Sequence, residues 1–424
     1  MIDLLIRACR VTDVSALVDV AIDGGRIVGI EPASELPARR EIQADGRVLI
    51  PGFVNAHVHL DKAFVGGLAP SGLMLDGVAR GAMRKLEYTH EDVKQRVRRA
   101  LDLAIRHGVT AVRSPVDVDP IVGTLGVEAI AEVRDEYRDR IEVQILAFPQ
   151  EGFLGVDGMH ELLARAVERG ADVVGGRPHG DPPHALDYDR HIDEIFDIAD
   201  GRLVDMSVDA LFPDDRSSPP HPEELGVYRL AEAVLRRGYK PGAVSAHHVL
   251  ALSALDARAA AVVVERVRDA RMNIITLPTS NLFTEGRTDQ VNPRRGLTRV
   301  KDFLGAGVNV ALGTDNLDDT YLPFANMNLL LEAHVCACAA HLGNEDELRE
   351  LLRMVTYNGA ATLALEGYGT AVGDRADLVL VDSADYRSIL TTQPEKTHVI
   401  KDGRVIAENG GQAGKPALDG GMSR

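Results

Sequence analysis

PGFVNAHVHLDK, residues 51–62, carries an apolar run (Val48, Leu49, Ile50) through Pro51-Gly52 into a short strand that bears His57 and His59. Side chains at i and i+2 of a strand project to the same face, so the two imidazoles can bind one metal ion side by side. The pair ends an apolar strand, follows Pro-Gly and is trailed by Asp61 and Lys62, which a strand made only for packing does not need. It reads as a metal site, either working or a remnant.

Working outward, helix-period and strand-period segments alternate along the middle of the chain. With the strand at 53–59, the strand patterns at 109–112, 141–148, 171–176, 203–208, 243–246, 273–277 and 308–312 make eight β/α units. Eight parallel strands with crossover helices specify a (β/α)8 TIM barrel, whose site lies at the strand C-termini. His57 and His59 follow strand one, Gln150 strand three, His179 strand four, His247 strand six and Asp315 strand eight. Both ends of the chain read differently. Val18–Ile22 and Arg26–Ile30 flank Asp23-Gly24-Gly25, and Lys401-Asp402-Gly403-Arg404 makes a second Asp-Gly hairpin. The expected fold is therefore α/β: a barrel over 51–365, with 1–50 and 366–410 joined in a small composite β-sandwich domain. Residues 411–424 read as a loose tail.

A chain of 424 residues has room for a barrel plus an accessory domain. The hydrophobic content of 45% and charged fraction of 26% are those of a globular enzyme. A net charge of −17 with no lysine- or arginine-rich run argues against nucleic acid or an anionic membrane as partner. No apolar run approaches a membrane span, and MIDLLIRACR lacks the features of a signal peptide. Cys9, Cys336 and Cys338 offer no disulfide framework. A cytoplasmic homo-oligomer acting on a small molecule is expected.

The stretches PGFVNAHVHLDK (51–62), RSPVDVD (113–119), LAFPQEG (146–152), GADVVGGRPH (170–179), SAHHVLAL (245–252), GLTRVKDFLGAGVNVALGTDN (296–316) and GAATLAL (359–365) together resemble the amidohydrolase superfamily, and within it the cytosine deaminase-like branch. The resemblance covers essentially the whole chain, with LAFPQEG and GTDN the most specific parts. It implies hydrolysis of a C–N bond in a small nitrogen heterocycle or cyclic amide, with one divalent metal, zinc or iron. On the matching positions it implies metal ligands at His57, His59 and Asp315. It also implies that His247 stabilises an attacking hydroxide and that Gln150 bonds to the substrate ring. His179 and Asn316 join Gln150 as substrate-binding candidates.

The chain departs from that pattern at chemically important places. Relatives carry His-x-Asp-Glu after strand five, where this chain reads Ser207-Val208-Asp209-Ala210. A ligand histidine thus becomes Ser207, and the proton-carrying glutamate becomes Ala210. A strand-two histidine is Pro115, and the aspartate after Asp315 is Asn316. Serine is a poor zinc ligand beside imidazole, so a three-residue site would hold its metal weakly or stand empty. Asp209, sharing a strand face with position 207, and Asp315 are then the candidate bases.

Other residues read as structural. His248 should face away from His247, and Lys62 should pair with Asp61 behind the site. His184, His191 and His221, near prolines, should be solvated, while Arg287, Arg294 and Arg295 are either anion-binding or surface. The proline-rich insertion at 211–224 is placed to form a lid. Two classes of function remain: a C–N hydrolase with an incomplete mononuclear metal site, or a metal-free or non-hydrolytic barrel of the same family, repurposed or ligand-binding.

Overall fold

The structure, a computed structural model, describes residues 1–11, 16–211 and 220–409. Strands β1 (Ile2–Val11), β2 (Val18–Asp23), β3 (Arg26–Glu31), β4 (Ala38–Gln43) and β5 (Val48–Pro51) come first. The chain then alternates through β6 (Phe53–Asn55), α1 (Met74–Lys85), α2 (His90–Arg106), β7 (Val109–Asp117), α3 (Leu125–Tyr137) and β8 (Glu142–Phe148). Next come α4 (Met159–Glu168), β9 (Val173–Gly176), α5 (Tyr188–Ala199), β10 (Leu203–Val208), α6 (Gly226–Arg237) and β11 (Val244–His248). They are followed by α7 (Ala257–Asp269), β12 (Asn273–Thr276), α8 (Pro278–Thr284), α9 (Val300–Gly305) and β13 (Asn309–Leu312). The last elements are α10 (Leu329–Ala340), α11 (Glu345–Met354), α12 (Tyr357–Thr362), β14 (Leu378–Val381), α13 (Tyr386–Thr392), β15 (Lys396–Lys401) and β16 (Arg404–Glu408).

Strands β6 to β13 pair in sequence order and in parallel, as helix-connected strands must. The sheet closes on itself where Ala56 N–H reaches the Leu312 carbonyl at 3.1 Å and Val58 bridges Asp315. Gly313 permits that closure: a Cβ there would lie 2.6 Å from the His57 carbonyl oxygen. The helices bury one stripe each against the barrel. In α6 the stripe is Val227, Leu230, Ala231 and Val234, at helical spacing, and Gly238 in the left-handed region ends it.

The chain termini share one sheet, ordered β16-β15-β14-β5-β1-β2-β3, with β4 paired to β1. Its seam is the antiparallel β14–β5 pair, Leu378↔Pro51 to Val381↔Val48, so β5 leads directly from this sheet into the barrel. Leu4, Ile6, Val20, Ile22, Leu49, Leu378, Leu380 and Ile400 form its core.

Three local expectations change. The first barrel strand ends at Asn55, not 59, so His57 and His59 sit on extended chain held by Asp315 and Arg113 backbone groups. Strand β7 runs on to Asp117 through Pro115, which is tolerated because β6 has already ended and only β8 pairs that stretch. Helix α1, between His59 and α2, is an addition to the expected elements; its sequence carries two glycines, Gly77 and Gly81, which read as breaks in a helical pattern. Residues 411–424 and most of the 211–224 insertion (212–219) lie outside the described residues.

Candidate active site

Six of the eight barrel strands bring the candidate side chains to one mouth. His57 and His59 follow β6, Asp117 ends β7, Gln150 follows β8, Arg177 and His179 follow β9, His247 and His248 end β11, and Asp315 follows β13. His57 Nε2 and His59 Nε2 lie 3.4 and 3.5 Å from the same oxygen, Asp315 Oδ1. One ligand atom from each of the three lies within 4.8 Å of the others. Both ring nitrogens of His57 and Nδ1 of His59 are buried without a hydrogen-bond partner. Buried polar atoms are almost always satisfied, so imidazole nitrogens left bare around a carboxylate fit a divalent cation with N and O ligands. Burial opposes ionisation of Asp315, but His57, His248 and His59 hold its carboxylate well below the usual range. Burial and the Lys62 charge keep His59 neutral, as a ligand must be.

His247 stands beside this group, its ring 4.3 Å from that of His57. Its Nδ1 meets Asp205 Oδ1 at 2.8 Å, and Arg113 holds the other Asp205 oxygen at 3.0 Å. Burial opposes the Asp205 charge, but His247 and Arg113 bring its pKa down to about 2. An ionised Asp205 fixes the proton on His247 Nδ1 and leaves Nε2 as an acceptor. Asp205 and Arg113 were absent from the sequence-derived site. Their signal was a charge in an apolar strand, which by itself does not point to a partner.

Lys62 supplies the opposite wall. Its ammonium binds Asp117 at 3.0 and 3.2 Å, and donates to Gln150 Oε1 at 3.4 Å. The expected Lys62–Asp61 pair does not form. Asp61 accepts from the Asp117 amide instead, and burial with the nearby Asp117 charge pushes its pKa up to about 6. Its oxygen faces Lys62, and among the described residues no acceptor meets the Gln150 NH2 group, which borders the cavity. Asn316 donates to Asp319 at 2.5 Å and lines the same cavity, as does His179, both of whose ring nitrogens are unpartnered. The cavity holds only about 40 Å³.

Two residues are placed otherwise than strand alternation implies. Asp209 lies in the left-handed region at φ 54, and its oxygens accept the Gly226 and Val227 amides at 2.9 and 2.8 Å. These contacts anchor the start of α6, and Asp209 is not among the residues that line the cavity. Strand alternation turns His248 away from the site, yet φ of 70 at His248 and 49 at Val249 bring its ring into the cavity. Consecutive left-handed residues, one of them β-branched, are strained and gather at functional sites. Asn281 Oδ1 holds His248 Nδ1 at 2.8 Å, and burial lowers its pKa to about 4.

Of the three histidines near prolines, His184 and His221 are exposed, as expected. His191 is fully buried on α5, bonded to Asp181 at 2.6 Å and to the Arg177 amide at 3.1 Å. The hydrophobic periodicity of α5 turns it inward, which proline-based reasoning missed. Arg287 and Arg295 cap backbone carbonyls of Phe283 and Ala339, and Arg294 pairs with Asp289; none of them lines the cavity. Ser207 and Ala210 do line it.

Residues 40–407 match the amidohydrolase family. The chain is 30% identical over 419 residues to N-isopropylammelide isopropyl amidohydrolase of Pseudomonas sp. (strain ADP), covering 96% of this chain and 98% of that one. It is 28% identical to the pterin deaminase of Rhizobium rhizogenes, covering 92% and 87% respectively. The crystal structure of 5-methylcytosine deaminase from Klebsiella pneumoniae liganded with 5-fluorocytosine superposes with a TM-score of 0.89 at 31% identity, covering 96% and 98% of the two chains. With the composite sheet, the closed barrel and the His57–His59–Asp315 cluster in place, the chain belongs to the amidohydrolase family, in its cytosine deaminase-like branch.

Proposed function

We propose that this protein hydrolyses an exocyclic or ring C–N bond of a small nitrogen heterocycle, using an incomplete mononuclear metal site. The observation that carries the reading is the set of bare, buried imidazole nitrogens around Asp315, next to a His247 whose tautomer Asp205 sets. His57, His59 and Asp315 would hold one divalent cation, which would supply Lewis-acid chemistry to a water. The relatives named for an ammelide, a pterin and 5-methylcytosine support a planar, hydrogen-bond-rich ring as substrate.

In this reading the Gln150 NH2 group takes a ring acceptor, and the Lys62 charge beside it favours an oxo-substituted edge. His247 Nε2 accepts a hydrogen bond from the attacking water and orients it toward the ring carbon. Asp315 takes the proton. Water adds to carbon, the C–N bond breaks, and the nitrogen leaves as ammonia or an amine after gaining a proton. Ala210 offers no group for that last transfer, so His248, a cavity histidine whose Nδ1 is held by Asn281, is assigned to take the proton from Asp315 on Nε2 and pass it to the leaving nitrogen.

Ala210 is also the observation that favours a second reading, a pocket of the same family that no longer hydrolyses C–N bonds. Assaying ammonia and amine release from aminopyrimidines, aminotriazines and pterins, with zinc or ferrous iron added, separates the two. Release that disappears in His57→Ala supports hydrolysis. No release from any ring by a metal-loaded protein that still binds one supports the second reading.

A further inference from the structure

Helix α1 ends at a lysine that the reaction does not use. Lys85 is buried, and its ammonium meets Asp117 at 2.7 Å, Asp119 at 2.8 Å and Glu151 at 2.5 Å. These carboxylates come from the ends of two barrel strands: Asp117 ends β7, Asp119 follows it, and Glu151 follows β8. Lys85 therefore ties the segment between β6 and α2 to the barrel mouth. The rest of α1 docks through small residues. A Cβ on Gly77 would lie 2.9 Å from the Tyr321 ring, and Thr320 Oγ1 donates to the Gly77 carbonyl at 2.9 Å. Tyr321 in turn forms a cavity wall, with Lys62 Nζ 5.3 Å from its ring centre.

The carboxylates connect Lys85 to the substrate pocket. Asp117 is shared, one oxygen 2.7 Å from Lys85 and the other 3.0 Å from Lys62. Lys62 makes a longer contact, 3.4 Å, to Gln150. Asp117, Asp119 and Glu151 lie close enough that one atom of each falls within 4.8 Å of the others. Lys85 is the cation common to all three. Without it, the buried Asp119 and the half-buried Glu151 would lose their counter-charge, and Lys62, which already shares Asp117 with Lys85, is the ammonium placed to answer them. Its weakest contact, the one to Gln150, would be lost first.

We propose that Lys85 is a positioning residue for the pocket: by neutralising Asp119 and Glu151 it leaves Lys62 free to hold Gln150 in its donor-facing orientation. Docking of α1 and assembly of the ring-recognition edge are then one event. The proposal deepens the reading of the pocket as a heterocycle site, but its decisive test does not depend on that reading.

Hydrogen exchange by mass spectrometry on full-length Lys85→Met should show faster exchange, by about tenfold, in peptides spanning 59–66 and 146–153 as well as in α1. The triple variant Lys85→Met/Asp119→Asn/Glu151→Gln removes both carboxylates that would draw Lys62 away. In it, exchange at 59–66 and 146–153 should return to the wild-type rate while α1 stays fast. Exchange confined to α1 in the single variant, or equal disturbance of 146–153 in both variants, would overturn the proposal. If the single variant does not fold, the triple variant decides: wild-type exchange at 146–153 supports the coupling, and faster exchange there ends it. As a second readout, 5-fluorocytosine should bind the single variant about tenfold more weakly than wild type and the triple variant normally. Wild-type protein that ignores 5-fluorocytosine counts against the substrate reading alone, since the exchange result still decides the role of Lys85.

Discussion

Ser207 and His247 are register partners on adjacent parallel strands, β10 and β11. In-register neighbours in a parallel sheet point to the same face, so position 207 looks into the cavity that His247 lines. A histidine at 207 would stand beside His57 and His247. The serine contributes only a small hydroxyl there, and three places later Ala210 contributes none.

Restoring the imidazole should tighten metal retention without restoring a deaminase. Ser207→His is expected to hold zinc about 10- to 100-fold more tightly against a competing chelator, the scale on which single supporting groups act at metal sites. Ser207→His/Ala210→Glu should nonetheless gain no ring-amine hydrolysis, because Ser207 and Ala210 both line the cavity and larger side chains there take space that the ring would fill. A gain of about 10²- to 10⁴-fold on cytosine-like rings, the worth of a general acid–base, would show that the pocket is merely damaged.

The His57–His59–Asp315 cluster predicts one metal per chain at most. Elemental analysis of protein loaded with zinc and then mildly dialysed should find no more than one equivalent, and Asp315→Ala should find close to none. Two retained equivalents would contradict a site built from three ligands.

Asp209 acts on α6, so its removal should be felt in stability and not in ligand binding. Asp209→Ala loses both amide contacts and is expected to cost about 1–2 kcal/mol in denaturant unfolding, the usual range for a helix cap. Affinity for any ring bound by the wild type should change less than about twofold. A collapse of turnover with unchanged stability would return Asp209 to the role of base.

Glu332 on α10 is buried, and that burial pushes its pKa from 4.5 up to about 7, although Thr279 donates to it. The folded chain therefore holds this proton more tightly than the unfolded chain. Its favourable contribution is complete below pH 4.5 and is lost as the pH rises through about 7. A shift of that size corresponds to roughly 3 kcal/mol. Glu332→Gln should remove this pH dependence and exceed wild-type stability above about pH 8. Parallel unfolding curves for the two proteins across that window would refute it.

The barrel was legible from periodicity because each strand and helix must bury its own stripe, which writes the pattern locally along the chain. The same holds for His57, His59 and Asp315, whose positions at strand ends follow once the strands are counted. Asp205 was not legible as a partner of His247, nor Arg113 as a partner of Asp205. They lie on three different strands, and only closure of the sheet sets their distances.

Backbone conformation hid the rest. Alternation along β11 sends His248 away from the site, and two left-handed residues reverse that. Alternation along β10 keeps Asp209 with Ser207, but a left-handed turn gives its carboxylate to the α6 amides. Adjacent opposite charges suggest Lys62–Asp61, yet the two lie in a turn that sends them to different partners, and Asp117 answers the lysine from β7. By itself the sequence determined the barrel, its composite sheet and the three candidate ligands, all of which rest on local period and strand order. Tertiary structure alone decided which charges meet, because a buried charge takes whatever partner the closed barrel brings within reach, however distant in the chain.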